Sequence, residues 1–257
     1  MTATVKHLIT YPIKGLSGQI LDSVKLEKGL GFPLDRSFAF ARSGSGMDPA
    51  SPKPMPKSRF HVLARDAALA QLQTSFDAGS KTLTVQVGET NLVFDCSTID
   101  GMNQASKFIA STVGIEADEA PTFINGVDIH FTDVCMTSPQ YMHAVSIINL
   151  ASVRALGDAI GREVDPNRFR GNLLVDGWEP FRELESLESE VTIGDAKLRI
   201  LKRTRRCPAT QVNLQTATRD IDVPALLDEH FGHSDMGVYA EVIEGGTVKL
   251  NDGVSAL

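Results

Sequence analysis

The chain has 257 residues, 42% of them hydrophobic and 22% charged, enough to bury a sizeable core as one large domain or two small ones. Its net charge of −7 excludes a whole-protein electrostatic footprint for nucleic acid, so a local basic patch points to a small anionic ligand. No run of about 18 apolar residues offers a membrane span, and MTATVKHLITYPIKG lacks the apolar stretch of a signal peptide, which together predict a cytoplasmic protein.

Residues 1–40 read as strands. TVKHLITYPI and QILDSVKLEKG alternate apolar and polar residues, SFAFA is rich in aromatic and small apolar residues, and Gly15, Gly18, Gly29 and Gly31 punctuate them. The Gly/Ser/Pro-rich stretch 43–58 predicts an irregular loop or linker. Residues 61–76 are ambiguous, because their alanines favour helix while the next stretch, KTLTVQVGETNLVFD, alternates as a hairpin turning near Gly88. NQASKFIASTVG sets Phe108, Ile109, Thr112 and Val113 on one helical face ahead of a glycine. NLASVRALGDAIG predicts a helix capped by Asn149 and stopped at Gly161. GNLLVDG, EVTIGDAKLRILKR and GVYAEVIEGGTVKLNDGV read as strands with glycine turns. Among them VPALLDEHFG predicts a short helix, with Pro224 near its first turn and Gly232 just past its end. Short strands dominate, helices are few and no βαβ rhythm is visible. The fold class is mainly β with helical insertions (α+β), built as a barrel or a sandwich.

Cys96, Cys135 and Cys207 are far apart, odd in number and outside any CxxC spacing, which argues against a disulfide framework and a structural zinc site. Cys207 lies in RTRRCPATQVN, directly behind Arg203, Arg205 and Arg206. A lone cysteine is commonly a small buried hydrophobe. Neighbouring positive charge favours instead a thiolate that holds or attacks something, and both readings stand at this point. On a strand, Arg203, Arg205 and Cys207 share one face and Arg206 points the other way. Such a run is either a solvated face or a bidentate grip for phosphate or carboxylate. In RFRGN, Arg168 and Arg170 share a strand face with Asn172, while YPIKG and LDRSF offer Lys14 and Arg36 from the N-terminal strands. His230, His233 and Asp235 make a poor metal site, since Gly232 breaks the helix between the histidines. GxGxxG, Walker A and HExxH patterns are absent from the sequence.

Taken in order, YPIKGLSG, GFPLDRSFAF, NRFRGNLLVDG, RRCPATQVNLQTATRD and HSDMGVYAEVIEGGTVKLNDGV resemble the motifs of the MOSC family, named after the C-terminal domain of molybdenum cofactor sulfurase. The resemblance is to the two-part form. It implies a β-barrel-like N-terminal module over residues 1–100 and a MOSC-type β-barrel domain over 101–257. By architecture the chain is similar to the amidoxime-reducing components and their bacterial counterparts, which bind the molybdenum cofactor, a pterin carrying a dithiolene and a phosphate.

Residue by residue, the resemblance implies that Cys207 is the catalytic residue and the sulfur ligand of molybdenum. It implies that Arg205 and Arg206 line the cofactor, that Arg170 and Asn172 hold it, that Lys14 and Arg36 supply basic contacts and that Tyr239 supplies an aromatic one. The activity implied is reduction of N-hydroxylated (N–O) substrates. Electrons would come from an external ferredoxin-like or haem carrier and its reductase, because the sequence shows neither a dinucleotide fingerprint nor a cluster-ligating cysteine set. The alternative is a sulfur carrier that uses a Cys207 persulfide for metal–sulfur cofactor assembly. The chain departs from the family pattern at four places. Gly15 stands where relatives often have serine, Gly171 replaces the proline of RPN, Asn213-Leu214 replaces Asp-Pro, and His143 lies near the place of a small hydroxyl residue.

Overall fold

Alternating burial builds most of the strands. The computed structural model describes residues 3–126 and 128–255. In chain order the first half carries β1 (Ala3–Thr10), β2 (Gln19–Leu21), β3 (Ser23–Leu26), β4 (Phe38–Ala41), β5 (Gln73–Asp77), β6 (Thr82–Val87), β7 (Thr90–Asp95), α1 (Ile99–Val113) and β8 (Thr122–Asn125). The second half carries α2 (Pro139–Met142), β9 (Val145–Asn149), α3 (Leu150–Ile160), β10 (Leu173–Asp176), β11 (Glu190–Ile193), β12 (Ala196–Arg205), α4 (Val223–Phe231), β13 (Asp235–Glu244), β14 (Gly246–Lys249) and β15 (Gly253–Val254).

The main sheet runs β10-β9-β13-β12-β11-β15-β1-β2, and β1 also pairs with β10, so the ladder of pairings returns on itself. Its interior is an apolar cluster in which Val5, Leu8, Ile147, Leu173, Leu198 and Val238 are all fully buried. The fold is therefore strand-dominated with helical insertions, as the patterning predicts. A cut at residue 100 does not follow the sheets: β1 sits between β15 and β10, β3 pairs with β14, and β4 pairs with β8. Strands early in the chain complete sheets begun late in it, which contact-free sequence patterning cannot reveal. A second apolar cluster, with Phe38, Phe40, Phe76 and Phe123, joins β4, the β5-β6-β7 sheet and α1.

The helix signals work as capping physics requires. Thr98 accepts from Gly101 N at the start of α1, and Gly114 closes it at φ 74°. Asn149 accepts from Ala151 N, and Gly161 closes α3 at φ 69°. Pro224 lies in the first turn of α4, and Gly232 ends it in the left-handed region.

Three expectations need correction. First, one βαβ unit exists: β9, α3 and parallel β10. Asn149 both ends β9 and caps α3, so no loop residue separates strand from helix in the sequence. Second, RFRGN is no strand. Asp165 accepts from Asn167 N, Pro166 starts a 3-10 turn through Phe169, and Arg170 leaves it at φ 53°. Third, the ambiguous stretch 61–76 becomes a short 3-10 turn, Ala67–Gln71, followed by β5.

The loop after β8 places His130 edge-on against His143, with ring centres 5.0 Å apart. Burial lowers the His130 pKa to about 4, with Asp35 opposing and His143 adding to the fall. Between about pH 6.5 and 4 the unfolded chain binds a proton at this site that the folded chain does not, so stability falls as pH falls through that window. The loss is about 3 kcal/mol over the window. Urea unfolding at pH 7 and pH 4.5 checks it: His130→Gln should flatten this part of the pH dependence.

Candidate functional site

The basic motifs converge on one cavity of about 280 Å³. Lys14, Arg36, Arg170, Asn172, Arg205, Arg206, Cys207 and Tyr239 all line it. Nine lysines and arginines face it against a single carboxylate, that of Asp133. The sequence reading missed Lys57 and Asp133, whose motifs, PKS and FTD, carry no recognisable pattern.

Tyr11, from YPIKG, is the platform of one wall. It is 3% exposed, and the guanidinium carbons of Arg36 and Arg170 lie 4.7 and 4.2 Å from its ring centre. Arg36 is held at φ 52°, paired with Asp35, and donates from Nη2 to Arg170 O at 2.8 Å. Arg170 is also left-handed, at φ 53°, and its Nη1 donates to Leu16 O at 2.8 Å. Two arginines in this sparsely populated region at one cavity mark a site where the surrounding structure overrides backbone preference. Both lie in turns rather than in the strands that the sequence suggests.

Asn172 is expected to hold a ligand, yet its amide is engaged with protein throughout. Nδ2 donates to Asp35 Oδ1 at 2.8 Å and Ile9 O at 3.1 Å, while Oδ1 accepts from Ser146 N at 3.0 Å. It therefore frames the cavity by fixing Asp35, the partner of Arg36. Arg168 is likewise structural: its guanidinium grips Asp220, with Nη1 2.8 Å from Oδ1 and Nη2 2.9 Å from Oδ2. Asn213, the departure from Asp-Pro, donates to Asp220 Oδ2 at 2.9 Å, which an aspartate could not do. Against the opposing effect of burial, these donors hold the Asp220 carboxyl down at about 2. Two further departures are steric. A Cβ on Gly15 would come within 2.6 Å of His61 O, and one on Gly171 within 2.4 Å of the Ile148 side chain.

The arginines before Cys207 do not share a simple face. The β12–β13 register shifts between Ile200 and Lys202 and again between Arg203 and Arg205, which breaks the alternation. Arg203 Nε donates to Leu184 O at 2.7 Å. Arg205 is exposed and, among the described residues, makes no ion pair. Arg206 donates from Nε to Met236 O and from Nη1 to Phe169 O, with its guanidinium 5.2 Å from the Phe169 ring centre. Lys57, 150 positions earlier, lines the same cavity and joins Arg206 as a cation that interacts with Cys207.

Lys57 Nζ donates to Asp133 Oδ2 at 3.0 Å and Lys14 Nζ to Asp133 Oδ1 at 2.7 Å. Burial alone would lower the Lys57 pKa, but Asp133 and Cys207 outweigh it and raise it. Burial would raise the Asp133 carboxyl, but the two ammoniums hold it well below the usual range. Tyr239, on β13, completes the wall; burial first, then Asp133, raises its phenol.

Two features ask for an anion. Arg170 and Arg206 hydrogen-bond only carbonyl oxygens among the described residues, and Arg170 Nη2 is buried with no acceptor. Burial lowers both guanidiniums to about 10, with Arg36 adding to the fall at Arg170, and both stay charged at neutral pH. Buried charges without counter-ions are unfavourable, so the cavity suits a ligand bearing a phosphate or similar group. Cys207 is half-buried at its edge, whereas Cys96 and Cys135 are buried.

Fold and site thus define a β-rich protein with a cation-lined, thiol-edged cavity. The profile described as MOSC N-terminal beta barrel domain matches residues 2–127, and that of the MOSC domain matches residues 126–255. The chain belongs to the MOSC family. It is 27% identical over 161 residues to a molybdenum cofactor sulfurase of Danio rerio, covering 55% of this chain and 19% of that protein. It is 33% identical over 76 residues to the Drosophila grimshawi molybdenum cofactor sulfurase, covering 30% of this chain and 10% of that protein. The chain therefore spans less than a fifth of the length of these relatives. Among solved structures it is similar to the YuaD protein of Bacillus subtilis, with TM-score 0.43 and 14% identity over 99% of this chain and 94% of that one. It is also similar to YiiM from Geobacillus stearothermophilus, with TM-score 0.34 and 15% identity over 43% and 52%. No helix among the described residues is long and apolar enough to cross a membrane.

Proposed function

We propose that the chain is a molybdenum-cofactor-dependent reductase of N-hydroxylated compounds. The N–O bond breaks, two electrons and two protons enter, and the products are the N–H compound and water. The observation that carries this reading is the pairing of two half-buried guanidiniums held by carbonyl oxygens and no carboxylate among the described residues, Arg170 and Arg206, with the half-buried thiol of Cys207 in one cavity.

These residues fit the cofactor. Arg36, Arg170 and Arg206 would hold its phosphate, Arg205 would border it from the rim, Tyr239 would wall it, and Cys207 offers the soft sulfur donor that suits molybdenum. When bound, the cofactor supplies the two-electron redox centre. Lys14 fixes Asp133, and Asp133 fixes Lys57 beside Cys207, so the thiol meets a defined cationic neighbour. Electrons would arrive from a separate ferredoxin-like or haem carrier with its reductase.

The second reading, a sulfur carrier using a Cys207 persulfide, is favoured by the sulfurase names of the relatives. Metal analysis of the chain produced in a cofactor-competent host separates the two. Stoichiometric molybdenum is the expected result; a Cys207 persulfide without metal overturns the reductase in favour of the carrier.

Single alanine substitutions at Arg36, Arg170 and Arg206 should each weaken cofactor retention. A charged hydrogen bond is worth roughly 1.5–3 kcal/mol, which is about tenfold to a hundredfold in affinity. Occupancy is read as molybdenum per folded chain. Unchanged occupancy in all three variants refutes the assignment.

A further inference from the structure

We propose that Lys57 makes the Cys207 end of the cavity a recognition point for an anionic group, so that the compound reduced there carries a carboxylate or comparable oxyanion beside its N–O bond. The substrate half of this inference rests on the reductase reading; the anion site itself does not.

Lys57 differs from the other cavity cations in position and in what holds it. Arg36, Arg170 and Arg206 are fixed by Asp35 and by carbonyl oxygens. Lys57 comes from the Pro-rich segment, donates to Asp133 Oδ2 at 3.0 Å and turns toward Cys207. An ammonium has three rotatable donors, so beyond Asp133 and Cys207 one remains for a ligand. The segment is anchored rather than loose: Met47 and Met55 pack on the Phe60–Phe131 cluster, and the Cys135 thiol lies 3.6 Å from Met55 O.

Asp133 does not need Lys57 for neutralisation. Lys14, its side chain 6% exposed, already pairs with the other carboxylate oxygen at 2.7 Å. Two ammoniums on one carboxylate leave a net positive charge, and the Lys57 side chain is 38% exposed where Lys14 is buried. Lys202 and Arg205 line the same cavity, are exposed and form no ion pair among the described residues, so cations outnumber the one lining carboxylate, Asp133, in an acidic chain. A cleft charged in this way concentrates small anions. Cys207 marks the reacting end, and Lys57 lines the cavity with it, more exposed than the carbonyl-bound Arg206 and with a donor to spare. The anion recognised there takes no part in the bond change; it orients the compound.

The test uses the full-length chain in two forms. In the cofactor-free form, Cys207 is alkylated with iodoacetate and with iodoacetamide, and the products are counted on the Cys207 peptide by mass spectrometry. Both reagents attack the same thiolate and release iodide, so the ratio of their rates cancels the thiolate fraction. A unit charge held close in a solvent-accessible site alters such a ratio about fivefold. The iodoacetate-to-iodoacetamide ratio should exceed that of glutathione, fall by this factor in Lys57→Gln and persist in Lys57→Arg. Equal ratios in wild type and Lys57→Gln overturn the anion site.

In the molybdenum-loaded form, with a reduced viologen as electron source, benzamidoxime is compared with its 4-carboxylate. Lys57→Gln should raise KM for the carboxylate about fivefold more than for the neutral compound. An equal rise for both overturns the substrate class. If the loaded chain reduces neither compound, the reductase reading falls, while the alkylation ratio still decides the anion site on its own.

Discussion

Cys207→Ser should reduce turnover at least a hundredfold when rates are normalised to bound molybdenum, a barrier increase of about 3 kcal/mol or more. Serine keeps the size of the side chain but offers a hard, poorly ionised oxygen where a soft thiolate is needed. The arginines and Tyr11 that shape the phosphate end are untouched by the change, so molybdenum per chain should fall much less than turnover. That split separates the sulfur's chemical role from a role in holding the cofactor. Cys96→Ser and Cys135→Ser are the controls. Both thiols are buried, at 4% and 5% exposure, and burial pushes them up, Cys96 to about 11. Serine there places a hydroxyl in an apolar site, at a stability cost of about 1–3 kcal/mol, so these variants should yield less folded protein but near-normal turnover per folded molecule. If Cys207→Ser turns over as wild type does under the same normalisation, the sulfur is not a ligand.

The sequence made the elements that depend on local physics legible. Caps such as Asn149 and Gly161, and the hairpin around Gly88, follow from side-chain hydrogen bonds and backbone freedom that neighbours in sequence supply. The cavity residues were legible as motifs because each basic motif contributes at least one lining side chain. What they do was less so. The parity rule placed Arg203, Arg205 and Cys207 together, but three register shifts in ten residues of β12 defeat any alternation argument. Lys57 and Asp133 were invisible because their meaning lies in contacts across 76 positions. Asn172 looked like a ligand contact because polarity in a motif says nothing about whether the protein itself satisfies it.

That last residue also governs how the chain is joined. Asn172→Asp keeps shape and volume but removes both N–H donors, leaving at most one O–H donor when protonated. Its introduced carboxyl would face Asp35 Oδ1 and Ile9 O, at positions 2.8 and 3.1 Å from the present Nδ2, in a site 1% exposed. Asp35 cannot readily give way, since Oδ1 accepts from Tyr11 N at 3.0 Å and Oδ2 pairs with Arg36. Two carboxylates cannot both ionise so close together, so the new group is held protonated and its folded-state pKa is raised. A raised acid is stabilising below its unfolded value and loses that stability as pH rises, so the variant should be least penalised below about pH 4. At pH 7 the loss should be about 3–5 kcal/mol, seen as a Tm lower by roughly 10 °C. Thermal unfolding at pH 4 and pH 7, each measured as a difference from wild type, checks the sign. Adding Asp35→Asn returns an amide opposite the carboxyl and should recover about 1–3 kcal/mol of coupling. If the double variant is no more stable than Asn172→Asp alone, the Asn172–Asp35 contact does not hold β1, β9 and the Arg36 turn together, and the cavity wall owes its geometry to the apolar packing behind it.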